Sequence, residues 1–152
     1  MSSAVRVDGQ AREVALAEAQ AVRAMASGDE YRARLAELLA AVDEGEVADA
    51  DAETLEELLE LGLQTGRIRA HYGPGGEQAA LSLYRRLPRG AELAESAREV
   101  TAALRALQGR ELGSVELTAV GPGAFSLSIT AGELEISLRL DRQGARVANV
   151  GI

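Results

Sequence analysis

Residues 114–140 read SVELTAVGPGAFSLSITAGELEISLRL, and their apolar period is two. Val115, Leu117 and Ala119 alternate with Glu116 and Thr118. Phe125, Leu127 and Ile129 alternate with Ser126, Ser128 and Thr130. Leu134, Ile136, Leu138 and Leu140 alternate with Glu133, Glu135, Ser137 and Arg139. Successive side chains of a strand point to opposite faces, so each run is a strand with one aliphatic and one polar face. Gly121-Pro122-Gly123 and Ala131-Gly132 mark tight turns, and a turn over Asp141–Gly144 leads into a last strand, Ala145–Ile152. Four strands joined by short turns predict an antiparallel meander. In the last strand Val147 has odd parity while Val150 and Ile152 have even parity. A β-bulge near Ala148-Asn149 would add one residue and bring all three to the aliphatic side.

An aliphatic sheet face needs a cover, and the segment before it supplies one. Leu93, Ala97, Val100, Leu104 and Leu107 fall at i, i+4, i+7, i+11 and i+14, a single helical stripe. Glu92, Glu95 and Glu99 lie in its first half and Arg98 and Arg105 further on, an order that suits the helix dipole. Gly109 ends this helix. Leu117, Phe125, Leu127, Ile136 and Leu138 are expected to bury against Leu93, Val100, Leu104 and Leu107.

Further upstream the period is helical. Asp8 is placed to cap a first helix, about Gly9–Ala26, whose large apolar residues Val14, Leu16, Val22 and Met25 form no clean face. That helix is expected to pack weakly, through Ala, or to dock onto a partner. Asp29 is placed to cap a second, with Tyr31, Leu35, Leu38 and Val42 in one stripe and Gly45 beyond its end. A third, about Ala52–Leu61 with Asp51 as its cap, presents Leu55, Leu58 and Leu59. A short helical piece follows at Thr65–His71, stopped by Gly73-Pro74-Gly75-Gly76. A fourth regular helix runs from about Glu77 to Arg86, and Pro88-Arg89-Gly90 forms a turn. The fold class is therefore α+β: an N-terminal helical region of about four helices (1–90), then a long helix packed on a four-stranded antiparallel meander (91–152).

Composition narrows function mainly by exclusion. The chain has 152 residues, a formal net charge of −8, no Cys and no Trp, and aromatic residues make up 3%. All 16 basic residues are Arg, which together with abundant Ala and Gly suits a GC-rich genome. Without Cys or Lys, disulfides, thiolate catalysis, Cys-ligated metals and Schiff-base or Walker-type lysines are ruled out. His71 is the only histidine, so a multi-histidine metal site is also ruled out. No nucleophile-elbow motif accompanies it. The N-terminal residues lack a signal-peptide pattern, and no apolar run spans a bilayer, so a cytoplasmic protein with no membrane partner is expected.

Charge is unevenly spread. Residues 1–62 carry 15 acids against 5 Arg, whereas residues 63–90 carry Arg67, Arg69, Arg85, Arg86 and Arg89 against Glu77 alone. The carboxylates of residues 44–53 do not fit a calcium loop, which needs a central Gly and a terminal bidentate Glu. Glu53, Glu56, Glu57 and Glu60 read as a solvated helix face. The glycines of GPGGEQ (73–78) precede a helix but match no phosphate-loop pattern.

LGLQTGRIRAHY (61–72) resembles the turn and recognition helix of helix-turn-helix proteins reading LGLSxxTVxxH. Leu61-Gly62-Leu63 matches the turn, Ile68 the buried position, and His71 follows three residues later. The resemblance implies that Arg67 and Arg69 face DNA. Two departures stand beside it: Gly66 falls inside the implied recognition helix, and the preceding helix is strongly acidic.

The sequence favours a non-enzymatic protein–protein interaction module of adaptor, chaperone-like or inhibitory kind, with no catalytic, cofactor or metal residues. Its partner is expected to be another protein, for which a basic surface is the natural complement, or a second copy of the chain; nucleic acid is disfavoured by the charge. The residues placed to contact a partner or DNA are Arg67, Arg69, His71, Arg85, Arg86 and Arg89. Two alternatives remain: a DNA-binding regulator using segment 52–72, and a small-ligand-binding or enzymatic helix-on-sheet domain similar to cystatin-like folds.

Overall fold

In the computed structural model, which describes residues 3–152, the elements run β1 (Val5–Arg6), α1 (Gly9–Met25), α2 (Asp29–Glu44), β2 (Glu46–Val47), α3 (Asp49–Gln64), α4 (Arg67–Tyr84), α5 (Pro88–Leu104), a 3₁₀ turn (Arg105–Leu107) and the strands β3 (Ser114–Gly121), β4 (Ala124–Ala131), β5 (Leu134–Asp141) and β6 (Gly144–Gly151). The chain is of the α+β class. It divides into two compact units, Met1–Ala91 and Glu92–Ile152.

In the first unit, α1 packs against α2, α3 and α4. Its buried residues are Ala11, Val14, Ala15, Glu18 and Ala19, spaced i, i+3, i+4, i+7 and i+8. This is one clean stripe, and the expectation of weak packing is corrected. Three of its five members are Ala, whose small side chain lets neighbouring helices approach closely. The fourth position is a carboxylate, so a search for large apolar residues passes over the stripe. Leu35, Leu38, Val42, Leu55, Leu59, Ile68, Leu83 and Leu87 complete this core with no exposure.

A two-stranded antiparallel ladder absent from the sequence reading pairs Val5 with Val47 and Arg6 with Glu46. The N–H of Val7 donates to the carbonyl of Gly45 at 2.8 Å. Gly45, at φ +90°, ends α2 in the left-handed conformation that glycine tolerates, as expected.

The helix starts differ from expectation. Gly28 and Ala48, not Asp29 and Asp51, occupy the N-cap positions, and the two Asp residues lie inside the first turns. There they act on the helix dipole. Asp8 holds the N-cap position of α1 without a side-chain cap bond. As expected, the GPGG stretch stops a helical piece, but the next helix starts at once, at Pro74 and not at Glu77. Gly73 (φ 70°, ψ −176°) breaks α4, and helical backbone resumes at Pro74, whose missing N–H is no loss in a first turn. For the same reason Pro88 opens α5 instead of forming a turn.

The second unit is the expected meander, in order β3-β4-β5-β6. Leu117 pairs with Leu127, Leu127 with Leu138, and Leu138 with Val147, all on one face. Ser137 pairs with Asn149 while Leu138 pairs with Val147, so Ala148 is the extra residue of a bulge. The bulge returns Val147 and Val150 to the face of Leu138 and Ile136, in line with the expected bulge near Ala148-Asn149. On that face Val100 of α5 is buried with Leu134, Ile136 and Leu138, and Leu104, Leu107, Leu127 and Ala145 pack around them. The Ser96 hydroxyl donates to the carbonyl of Ala145 at 2.7 Å.

The β5–β6 turn is held by Asp141. Its Oδ1 accepts the N–H of Gln143 at 2.8 Å, and its Oδ2 accepts from Arg146 at 2.8 Å and Arg139 at 3.3 Å. The Gln143 N–H first, and the two guanidinium groups with it, hold the carboxyl below the usual carboxylate range. A depressed folded-state pKa stabilises the fold above the unfolded value of about 3.9, and that contribution is lost as pH falls through the lowered pKa. Asp141→Asn is therefore expected to lower the thermal midpoint at about pH 6, with the difference from wild type shrinking toward about pH 2. A difference independent of pH, read by circular dichroism melts, would contradict this role.

Candidate interaction surface

Side chains on a helix give it a width of about 10 Å, and neighbouring strands lie about 4.8 Å apart, so one helix covers about two strands. The meander has four. α5 buries the middle of the aliphatic face and leaves its flanks open. On the β3 flank Val115 is 57% exposed, Leu117 59% and Phe125 41%. On the β6 flank Val150 is 51% exposed and Val147 is also open, and Ile152 beyond it is 98% exposed. The expected burial of Ile136 and Leu138 is met, and Leu127 packs at the margin. The expected burial of Leu117 and Phe125 is corrected: the matching stripe exists, but one helix is too narrow for the face. Soluble domains seldom expose contiguous apolar patches beyond a few hundred Å² unless the patch binds something.

Among the described residues, no strand pairs with the outer edge of β3. The two-residue turns at Gly132-Glu133 and Arg142-Gln143 close on the pairs Ala131–Leu134 and Asp141–Gly144. Such closing pairs are hydrogen-bonded, and hydrogen-bonded and non-bonded pairs then alternate along each ladder. By that alternation Ser114, Glu116 and Thr118 bond to β4, and Val115, Leu117 and Ala119 turn their N–H and C=O groups outward. At the opposite edge, β6 carries the Ala148 bulge, a feature that discourages edge pairing.

The arginines singled out in the sequence lie in the first unit, and most are engaged there. Arg67 pairs with Glu18 at 3.5 Å, Arg69 with Glu77 at 3.3 Å, and Arg89 with Glu60 at 3.0 Å. Arg86 donates to the carbonyl of Arg6 at 2.8 Å. Arg85 and His71 are exposed. The six residues thus form no single free basic face. Gly66 is the N-cap of α4 at φ +73° and belongs to the turn, not to the helix after it.

Of the four α3 glutamates expected on a solvated face, Glu56 and Glu60 turn to partners within the helical unit. Glu53 and Glu57 are exposed, but Glu56 is buried and accepts the backbone N–H of Arg89 at 2.6 Å. It thereby satisfies one of the orphan donors at the start of α5. Glu60 accepts the Tyr84 hydroxyl at 2.6 Å, and its two carboxylate oxygens share the Nη1 of Arg89 at 3.0 Å each. Burial, then the Glu60 hydrogen bond, pushes the Tyr84 phenol far above its usual range. Tyr72, which donates to the buried Glu18 at 3.3 Å, is raised by burial and by that carboxylate. Both phenols stay protonated donors at neutral pH, which suits clasps between helices rather than acid–base chemistry. No three His, Asp or Glu side chains among the described residues stand close enough together to hold a metal ion. No helix among them is long and apolar enough to cross a membrane.

Comparison with family models, with curated proteins and with solved structures finds no match to this chain.

Proposed function

We propose that this chain is a cytoplasmic, non-enzymatic protein–protein interaction module that docks through the helix-covered face of its meander. The observation that carries the reading is the pair of apolar flanks, Val115-Leu117-Phe125 and Val147-Val150, left open on either side of α5. Apolar anchors beside an open strand edge suit a peptide or strand from another protein: main-chain bonds supply affinity and side chains supply register.

A photo-reactive amino acid at Leu117, with a control at Glu135 on the polar face of the central strand, tests this reading in living cells. A defined covalent adduct with a polypeptide is expected at 117 and not at 135. Adducts at neither site, or only at 135, would overturn it. Leu117→Glu should abolish the contact while changing folding stability by less than about 1 kcal/mol, as is usual at an exposed site.

A further inference from the structure

We propose that a second copy of this chain occupies the open edge of β3, the two strands pairing antiparallel about a two-fold axis through Leu117. The inference rests on the reading of the sheet face as a docking surface and names its occupant.

The edge chooses the mode. β3 is regular from Ser114 to Ala119, with its only register shift between Ala119 and Gly121, whereas the β6 edge is interrupted by the Ala148 bulge. β3 contains no Pro, no Arg and a single acid, Glu116, so it lacks most of the devices that keep natural strand edges apart. A closed two-fold contact uses the same edge twice and leaves no free β3 for further growth.

Charge and pairing choose the register. A two-fold axis at Glu116 would set its carboxylate directly against the same carboxylate of the second copy, an unfavourable pair. An axis at Leu117 sets Glu116 opposite Thr118 of the second copy, and Val115 opposite Ala119 of the second copy. It also brings Leu117 against Leu117 of the second copy on the aliphatic face. Val115, Leu117 and Ala119 are the residues whose N–H and C=O groups turn outward. They become hydrogen-bonded pairs in this register, and the pairing runs the length of the regular strand. The two exposed β3 flanks then form one continuous apolar strip whose leucines shield each other.

The polar face provides a test that leaves the fold alone, because Glu116 and Thr118 are both exposed. Sedimentation equilibrium of the full chain over a wide concentration range is expected to show a monomer–dimer equilibrium. Thr118→Glu puts two carboxylate pairs across the seam and should weaken dimerisation by about 10-fold or more. Adding Glu116→Arg to that variant creates two opposite-charge pairs and should restore it. A strict monomer at every concentration, or a dimer indifferent to Thr118→Glu, would overturn the proposal. So would a double variant that dissociates as readily as Thr118→Glu alone. A strict monomer that still forms a defined adduct from position 117 with a different polypeptide would overturn the two-fold pairing and leave the proposed function standing.

Discussion

Ile136→Ala is expected to destabilise the sheet unit by about 2–5 kcal/mol, the usual loss for truncating a fully buried aliphatic side chain. Ile136 has no exposed surface and is buried together with Val100, Leu134 and Leu138, around which Leu104, Leu107, Leu127 and Ala145 pack. A unit of roughly 60 residues has about 3–9 kcal/mol of stability in all. The variant should therefore populate unfolded sheet at physiological temperature. Chemical denaturation followed by the amide resonances of β4 and β5 reads the effect. A loss below about 1 kcal/mol would mean that the helix–sheet contact is not the core of this unit.

Gly90→Ala should cost at least about 3 kcal/mol in the helical unit, because nothing there can yield. A Cβ at Gly90 would lie 1.8 Å from the Tyr84 carbonyl oxygen, 2.5 Å from its carbon and 3.0 Å from the Arg85 Cα, all backbone atoms. Relief requires the link between α4 and α5 to shift. That link carries the contacts of Arg89 with Glu56 and Glu60 and of Tyr84 with Glu60. Gly28→Ala is the matched control, since a Cβ there meets no atom within 4 Å and its φ is ordinary for any residue. It should change stability by less than about 1 kcal/mol. Equal effects of the two substitutions in urea unfolding would contradict the packing described for Gly90.

The meander was legible because a period of two over three consecutive runs admits few alternatives, and the Ala148 bulge because three apolar residues of mixed parity needed one extra residue to share a face. Other features were hidden for identifiable reasons. The stripe of α1 is built from Ala11, Ala15, Ala19 and Glu18, which do not register as a hydrophobic face although they are buried. The β1–β2 ladder has two residues on each side, too few for any periodicity. Pro88 signals a turn and a helix start equally well. Glu56 and Glu60 look like surface acids because their partners, Arg89 and Tyr84, lie more than twenty residues away in sequence.

The candidate surface was partly legible. The aliphatic residues of β3 and β6 lie on the face their alternation implies, but their exposure depends on the width of a four-strand face against one covering helix, which no residue pattern carries. The arginines of residues 67–89 drew attention as an excess of positive charge. In the fold, Arg67, Arg69 and Arg89 meet carboxylates from α1, α4 and α3.

Amide hydrogen exchange along β3 in the full chain tests the central claim most directly, because it reads the open edge residue by residue. The N–H groups of Glu116 and Thr118, bonded to β4, should be protected at every concentration. Those of Val115, Leu117 and Ala119 should exchange quickly in dilute protein and slow progressively as the concentration rises. If the odd-numbered amides exchange at the rate of free backbone at all concentrations, the edge of β3 is unoccupied and the account is contradicted.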